Sequence, residues 1–259
     1  MTIANPFDVP LLQIEQATAN IERTKTLIAD AADNTGGSFV ERFDEKRDEK
    51  VVLLKLPTEL PAQLRYTATL VIRDLREALD QVTCKAFDVC APQQNAKSIY
   101  FPFGSSEQDF NGKLKGELKG KGLPEIVIQA FAASQCYRGG DDELWSLNGL
   151  SNVKHRDWVR LDLNDQDAHI QMGFGEIVGP AVLGVNKWNR DRTEIELMRV
   201  GKGGKIELPQ LKVGLQVTIG NGEVVKGRHL LPTLEAYRDK VKATVLAVRQ
   251  AVVKWSEPD

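Results

Sequence analysis

Two groups of residues in this chain of 259 have types and spacing that chemistry can use. The first is Arg76-Glu77-Ala78-Leu79-Asp80-Gln81, where a guanidinium and a carboxylate stand one helical turn apart. At that spacing Arg76 and Asp80 form either a surface ion pair contributing about 0.2–0.5 kcal/mol or a charged pair offered to a ligand. The second group lies in Cys136–Arg156, reading CYRGGDDELWSLNGLSNVKHR. Lys154, His155 and Arg156 follow Asn152 where a helical pattern gives way to strand-like alternation, and Arg138 lies on the preceding turn. Cations there complement the helix dipole and cap its last carbonyls. The same four residues would also make an anion- or phosphate-binding corner, in which guanidinium forks supply bidentate hydrogen bonds and His155 tunes affinity with pH. The types and spacing allow both readings of each group.

Other chemistries lack their residues. His155, His169 and His229 are scattered, and Cys84 and Cys90 are too far apart for a CxxC pair, so no zinc spacing exists. GxSxG and GxGxxG are absent. NGKLKGELKGKG has glycines and lysines but no GK[ST] after a strand, and reads as a solvated loop or frayed helix. Lys202, Lys205, Lys226 and Arg228 fall near turns, as a basic rim or as solvated tips. No metal or cofactor is expected.

With 42% hydrophobic and 27% charged residues, the composition is that of a globular protein. A net charge of -2 does not favour nucleic acid or an acidic membrane through the whole-chain field, although a local basic patch is compatible with it. The start, MTIANPFDVPLLQ, lacks the pattern of a signal peptide, and no apolar run is long enough to span a bilayer. Three cysteines within or beside apolar helical sequence suit a reducing compartment. The expectation is a cytoplasmic protein without a membrane partner.

The elements that must position these groups follow from periodicity. Ile14, Ile21 and Ile28 recur by sevens on a first helix that ends before Asn34-Thr35-Gly36-Gly37. ERFDEKRDEK reads as a charged loop, and VVLLKL as a strand closed by Pro57. Leu64, Ala68, Val71, Leu75, Leu79, Val82 and Ala86 mark a second helix. YFPFGSSEQDF reads as an extended segment and turn, Pro124 and Glu125 open a short helix, and Asp141 and Asp142 cap the next one. Alternation then predicts a strand from Val159 to a turn at Asn164-Asp165, and another through Ile170, Met172 and Phe174. Further strands fit Ile195 to Val200 and Leu211 to Ile219, the last ending at the hairpin signal Asn221-Gly222. Leu234, Tyr237, Val241, Val245, Val248, Val252 and Trp255 lie on a closing helix begun near Pro232.

This order predicts an α+β fold, a helical bundle with an antiparallel β-sheet element between the middle helices and the last one. It is expected as a single compact unit over 1–259, with a helical part at 1–155 and 229–259 and a β part at 156–228. The three long helices should pack on one another.

The succession LRYTATLVIRDLREALDQV, IYFPF, a turn bearing Gln135, Tyr137, Gly139 and Gly140, and LWSLNGLSNVKHR resembles a family of bacterial and phage-encoded proteins. Its pattern is a helix like NLRxALDH, an FPF segment and a helix like LxxLxxLxxxDKHR. The resemblance covers Leu64 to Arg156 and implies no activity of its own. The helix pattern is in turn similar to that of the HEPN superfamily of helical bundles, whose ribonucleases carry an arginine, a few variable residues and a histidine. Arg76 matches the arginine, but Gln81 stands where the histidine should be. A glutamine cannot exchange protons near neutral pH, so the local motif lacks its acid or base.

The resulting expectation is a non-catalytic binding or regulatory module of bacterial or phage origin, with an anion or RNA at the Lys154–Arg156 corner. The competing class is a HEPN-like ribonuclease whose site assembles from Arg76, Asp80, His155 and Arg156. A third is an interaction module that meets another protein through its sheet surface or an edge strand.

Overall fold

A computed structural model describes residues 5–34, 38–55, 60–94, 99–152, 159–172, 177–178, 181–188, 194–206 and 211–257. The fold is α+β. Its elements are α1 (Asp8–Asn34), β1 (Ser38–Asp44), β2 (Glu49–Lys55), α2 (Ala62–Cys90), α3 (Glu107–Lys113), α4 (Glu125–Ala132) and α5 (Asp142–Ser151). They continue with β3 (Leu161–Met172), β4 (Ile177–Val178), β5 (Ala181–Trp188), β6 (Glu194–Gly201), β7 (Lys205–Ile206), β8 (Leu211–Ile219) and α6 (Leu230–Ser256). The chain groups into two compact units. The first holds residues 1–24, 65–161 and 219–259, and the second holds 25–64 and 162–218.

In the helical unit the long stripes are buried as their spacing requires. Leu75 and Leu79 on α2 and Val241 and Val245 on α6 are wholly inaccessible. Threonines share these faces without a desolvation cost, because the Thr24 and Thr83 hydroxyls donate to the Asn20 and Leu79 carbonyls one turn earlier. α6 makes contacts with α4 and α5, two short helices that the reading of three mutually packed long helices left out. Between α5 and α6 the Ser146 hydroxyl donates to the Glu143 carbonyl, so the buried Tyr237 hydroxyl, 2.7 Å away, is the donor to Ser146. Across α1 and α2, Asn20 Nδ2 donates to Asp74 at 3.2 Å. Trp255, placed by spacing on the inner stripe, is 44% exposed in the last turn of α6.

Of the two readings of the lysine- and glycine-rich segment, loop and frayed helix, the helical one holds through Lys119. α3 starts at Ser106, whose hydroxyl accepts from the Asp109 amide, and Leu114–Lys119 continues as a π-helix. Leu114, Leu118 and Phe110 are buried there, and that apolar spacing outweighs Gly112 and Gly116.

In the second unit the strand order is β1-β2-β6-β5, and all three pairings are antiparallel. The expected loop ERFDEKRDEK is mostly a hairpin, with Asp44 Oδ1 accepting from the Lys46 amide and Asp48 at φ 51° in the turn. The sheet therefore includes residues from ahead of 156, the boundary given by the alternation. β1 was hidden because its charges are satisfied across strands: Arg42 pairs with Glu194 at 2.7 Å and Glu41 with Lys50 at 2.8 Å. Val52, Leu54, Ile195, Met198 and Val200 are buried on the face that Glu41 and Lys50 share, opposite the face of Arg42 and Glu194.

A bulge gives β6 its second property. Val52 faces Met198 while Leu53 faces Glu196, so Leu197 is an extra residue. Residues three apart in a regular strand point to opposite faces; the extra residue puts Glu196 and Arg199 on the same one. Arg199 Nε and Nη2 then reach the two Glu196 oxygens at 2.6 and 2.9 Å. Its Nη1 meets Asp44 on β1 at 2.9 Å and Glu49 on β2 at 3.4 Å. That guanidinium holds the Asp44 carboxyl below the usual carboxylate range.

Two turns differ from expectation. β3 runs unbroken through Asn164-Asp165 and pairs with β8, whose backbone partnership outweighs the local turn preference. Phe174 lies outside the described residues. Gly222 does take a positive φ of 91°, but the residues directly after it form turns rather than a strand. The chain instead folds back on the end of β8, with the Ile219 amide donating to the Arg228 carbonyl and the Gly227 amide to the Ile219 carbonyl.

Candidate functional site

Arg76 sits on α2 at the edge of its buried stripe, with its side chain 17% exposed. One turn on, Asp80 Oδ2 forms an ion pair with Arg76 Nη1. Arg76 Nε donates to Asn148 Oδ1 on α5 at 3.1 Å, and the guanidinium carbon lies 4.5 Å from the centroid of the Phe103 ring. The other Asp80 oxygen accepts the Phe101 amide at 2.8 Å. One arginine and one carboxylate thus tie α2, α5 and the segment Phe101-Pro102-Phe103 together.

That segment is fixed from its far side as well. Phe101 packs on Phe103 and Phe131 with ring centroids 5.0 and 5.8 Å apart. The Gly104 amide donates to the Cys136 carbonyl, and Lys113 Nζ donates to the Phe103 carbonyl at 2.5 Å. Gly104 has to be glycine, since a Cβ there would stand 2.6 Å from the Phe110 Cβ. The residues that the sequence placed in separate motifs, LRxALD, FPF and the Cys136-Tyr137 turn, form one packed joint.

Arg76 and Asp80 therefore meet, but they are engaged by internal partners. Gln81, where the HEPN pattern needs a histidine, donates from Nε2 to Glu77 at 2.7 Å on the outer face of α2. Asn148, Phe101 and Phe103 complete the cluster and were missed as partners. The available signal was the co-occurrence of an Arg–Asp helix and an FPF segment, which alone does not say that the backbone amide of Phe101 is the acceptor's target.

Arg138 lies elsewhere on the first unit, in the turn ahead of α5. Its guanidinium pairs with Glu223 at 2.6 Å, and both side chains are 60% exposed. Beyond it the N-terminus of α5 is capped as expected: Asp141 accepts the Leu144 amide at 2.9 Å, and Asp142 accepts the Gly139 amide at 2.8 Å. Lys240 of α6 then pairs with Asp141 at 2.6 Å and Glu143 at 3.3 Å, while Arg228 pairs with Glu143 at 2.7 Å. Acids and bases are matched across this end of the unit. Lys154, His155 and Arg156 lie outside the described residues; α5 ends before them, where the Asn152 amide donates to the Asn148 carbonyl.

The cysteines are free thiols. Burial pushes Cys136 far above its ordinary value, Cys90 up to about 11, and Cys84 upward. Burial thus disfavours the thiolate form of each. Among the described residues no group of three or more His, Cys, Asp or Glu could hold a metal ion. No helix among them is long and apolar enough to cross a membrane. Compared with protein-family models, curated proteins and solved structures, the chain finds no match in any of the three.

Proposed function

We propose that this protein is a non-catalytic binding or regulatory module of the cytoplasm, bacterial or phage in origin and HEPN-like in its helical core. In this reading the helical unit is a scaffold, and Lys154, His155 and Arg156 with Arg138 offer charge to an anionic ligand or RNA. The observation that carries the non-catalytic half is the engagement of Arg76 and Asp80. Asp80 Oδ1 accepts the Phe101 amide and Oδ2 pairs with Arg76, whose Nε donates to Asn148 and whose guanidinium lies over the Phe103 ring. A general acid or base must reach the proton it moves, and Gln81 has no proton to exchange at neutral pH.

The test is incubation of purified protein with single-stranded RNA, alongside Arg76→Ala and Arg156→Ala, with the melting temperature of each. The expected result is no cleavage by any of the three, and RNA binding that weakens with salt and on Arg156→Ala. Robust cleavage by the wild type, abolished by Arg76→Ala in a protein that stays folded, would overturn the reading in favour of a ribonuclease.

A second reading, a protein-interaction module, is favoured by the position of β1. It is the outermost strand of its four-stranded sheet, and Phe43 on it is 55% exposed. An edge strand can accept a further strand through its backbone. A Val40→Pro substitution, which removes one backbone donor, would weaken capture of such a partner without affecting RNA binding.

A further inference from the structure

We draw no further inference here: the strongest candidate, the exposed apolar row of Leu246 and Val253 on the outer face of α6, carries nothing because no feature of the structure shows what covers it.

Discussion

Arg76 in the helical unit and Arg199 in the sheet unit are both half-sheltered arginines, with side chains 17% and 21% exposed, and they are used in opposite ways. Among the described residues Arg76 pairs with one carboxylate, and its other contacts there are a neutral amide and an aromatic face. Arg199 is surrounded by three carboxylates on three strands. The first arrangement is a packing device in which charge is balanced one to one and every partner belongs to a different piece of chain. The second is an electrostatic one, a cation shared by carboxylates from three strands. Removing either arginine leaves something different behind: the Asp80 carboxylate without Arg76 in a packed joint in the first case, carboxylates on three strands without the cation they share in the second.

The largest expected effect is that of Arg76→Ala. Breaking one side of a sheltered, hydrogen-bonded ion pair costs about 3 kcal/mol, and here the stack on Phe103 goes with it. A chemical denaturation series should show that loss. Arg76→Lys, which keeps the charge but loses the fork and the flat stacking surface, should recover only part of it. Full recovery by lysine would mean that Arg76 acts by charge alone, erasing the contrast with Arg199.

Arg199→Met should cost less, and its cost should depend on pH. Asp44 is held below its ordinary value by Arg199, so the stabilisation from that pairing is fully present above the usual carboxylate range. It disappears as pH falls through the lowered folded value. The gap in melting temperature between wild type and Arg199→Met should therefore be widest near neutrality and narrow in acid, as the Asp44 carboxylate protonates. A gap independent of pH would show that Arg199 stabilises the sheet by packing.

Asp74 extends the comparison to a carboxylate whose described hydrogen bond comes from a neutral amide, Asn20 Nδ2. Burial raises its pKa, and the hydrogen bond from Asn20 opposes this only in part. With the folded value above the unfolded one, the folded state binds the proton more tightly, so this group's contribution falls as pH rises through that interval. Asp74→Asn keeps an acceptor for Asn20 and removes the charge. It should leave the protein as stable or slightly more stable at pH 7, with the advantage vanishing toward pH 3. A clear loss at pH 7 would mean that the ionised carboxylate has a cationic partner.

The smallest effect belongs to Arg138→Ala. An ion pair with both side chains 60% exposed contributes at most about 1 kcal/mol, so stability should stay nearly unchanged. If Arg138 belongs to the proposed anion or RNA site, the consequence should appear instead in that binding, which separates a surface pair from a ligand group.

The α+β plan, the positions of the long helices and the cap at Asp141 were legible in the sequence, since each depends on residues a few positions apart. Leu75 and Leu79, or Asp141 and Leu144, meet through a single helical turn, and 3.6-residue periodicity announces that meeting before any tertiary contact forms. The candidate pair Arg76–Asp80 was legible for the same reason. Its role was not, because the Phe101 amide and Asn148 lie 21 and 72 positions from the residues they bind. The strand β1 was illegible for a related reason: Arg42, Glu41 and Asp44 look solvated until strands β2 and β6 bring their counter-charges.

What the sequence by itself determined is local: where helices begin and end, which faces are apolar, and that no titratable side chain stands where Gln81 does. The tertiary structure decided whether a given charge was free or already spent. Short-range geometry is set by backbone dihedrals and is repeated at every turn, whereas the partner of a charged side chain depends on which distant segment packs beside it. A single extra residue, Leu197, shows how finely that is balanced: it moves Glu196 to the face of Arg199, and no pattern of hydrophobicity along β6 could have told which residue the bulge would take.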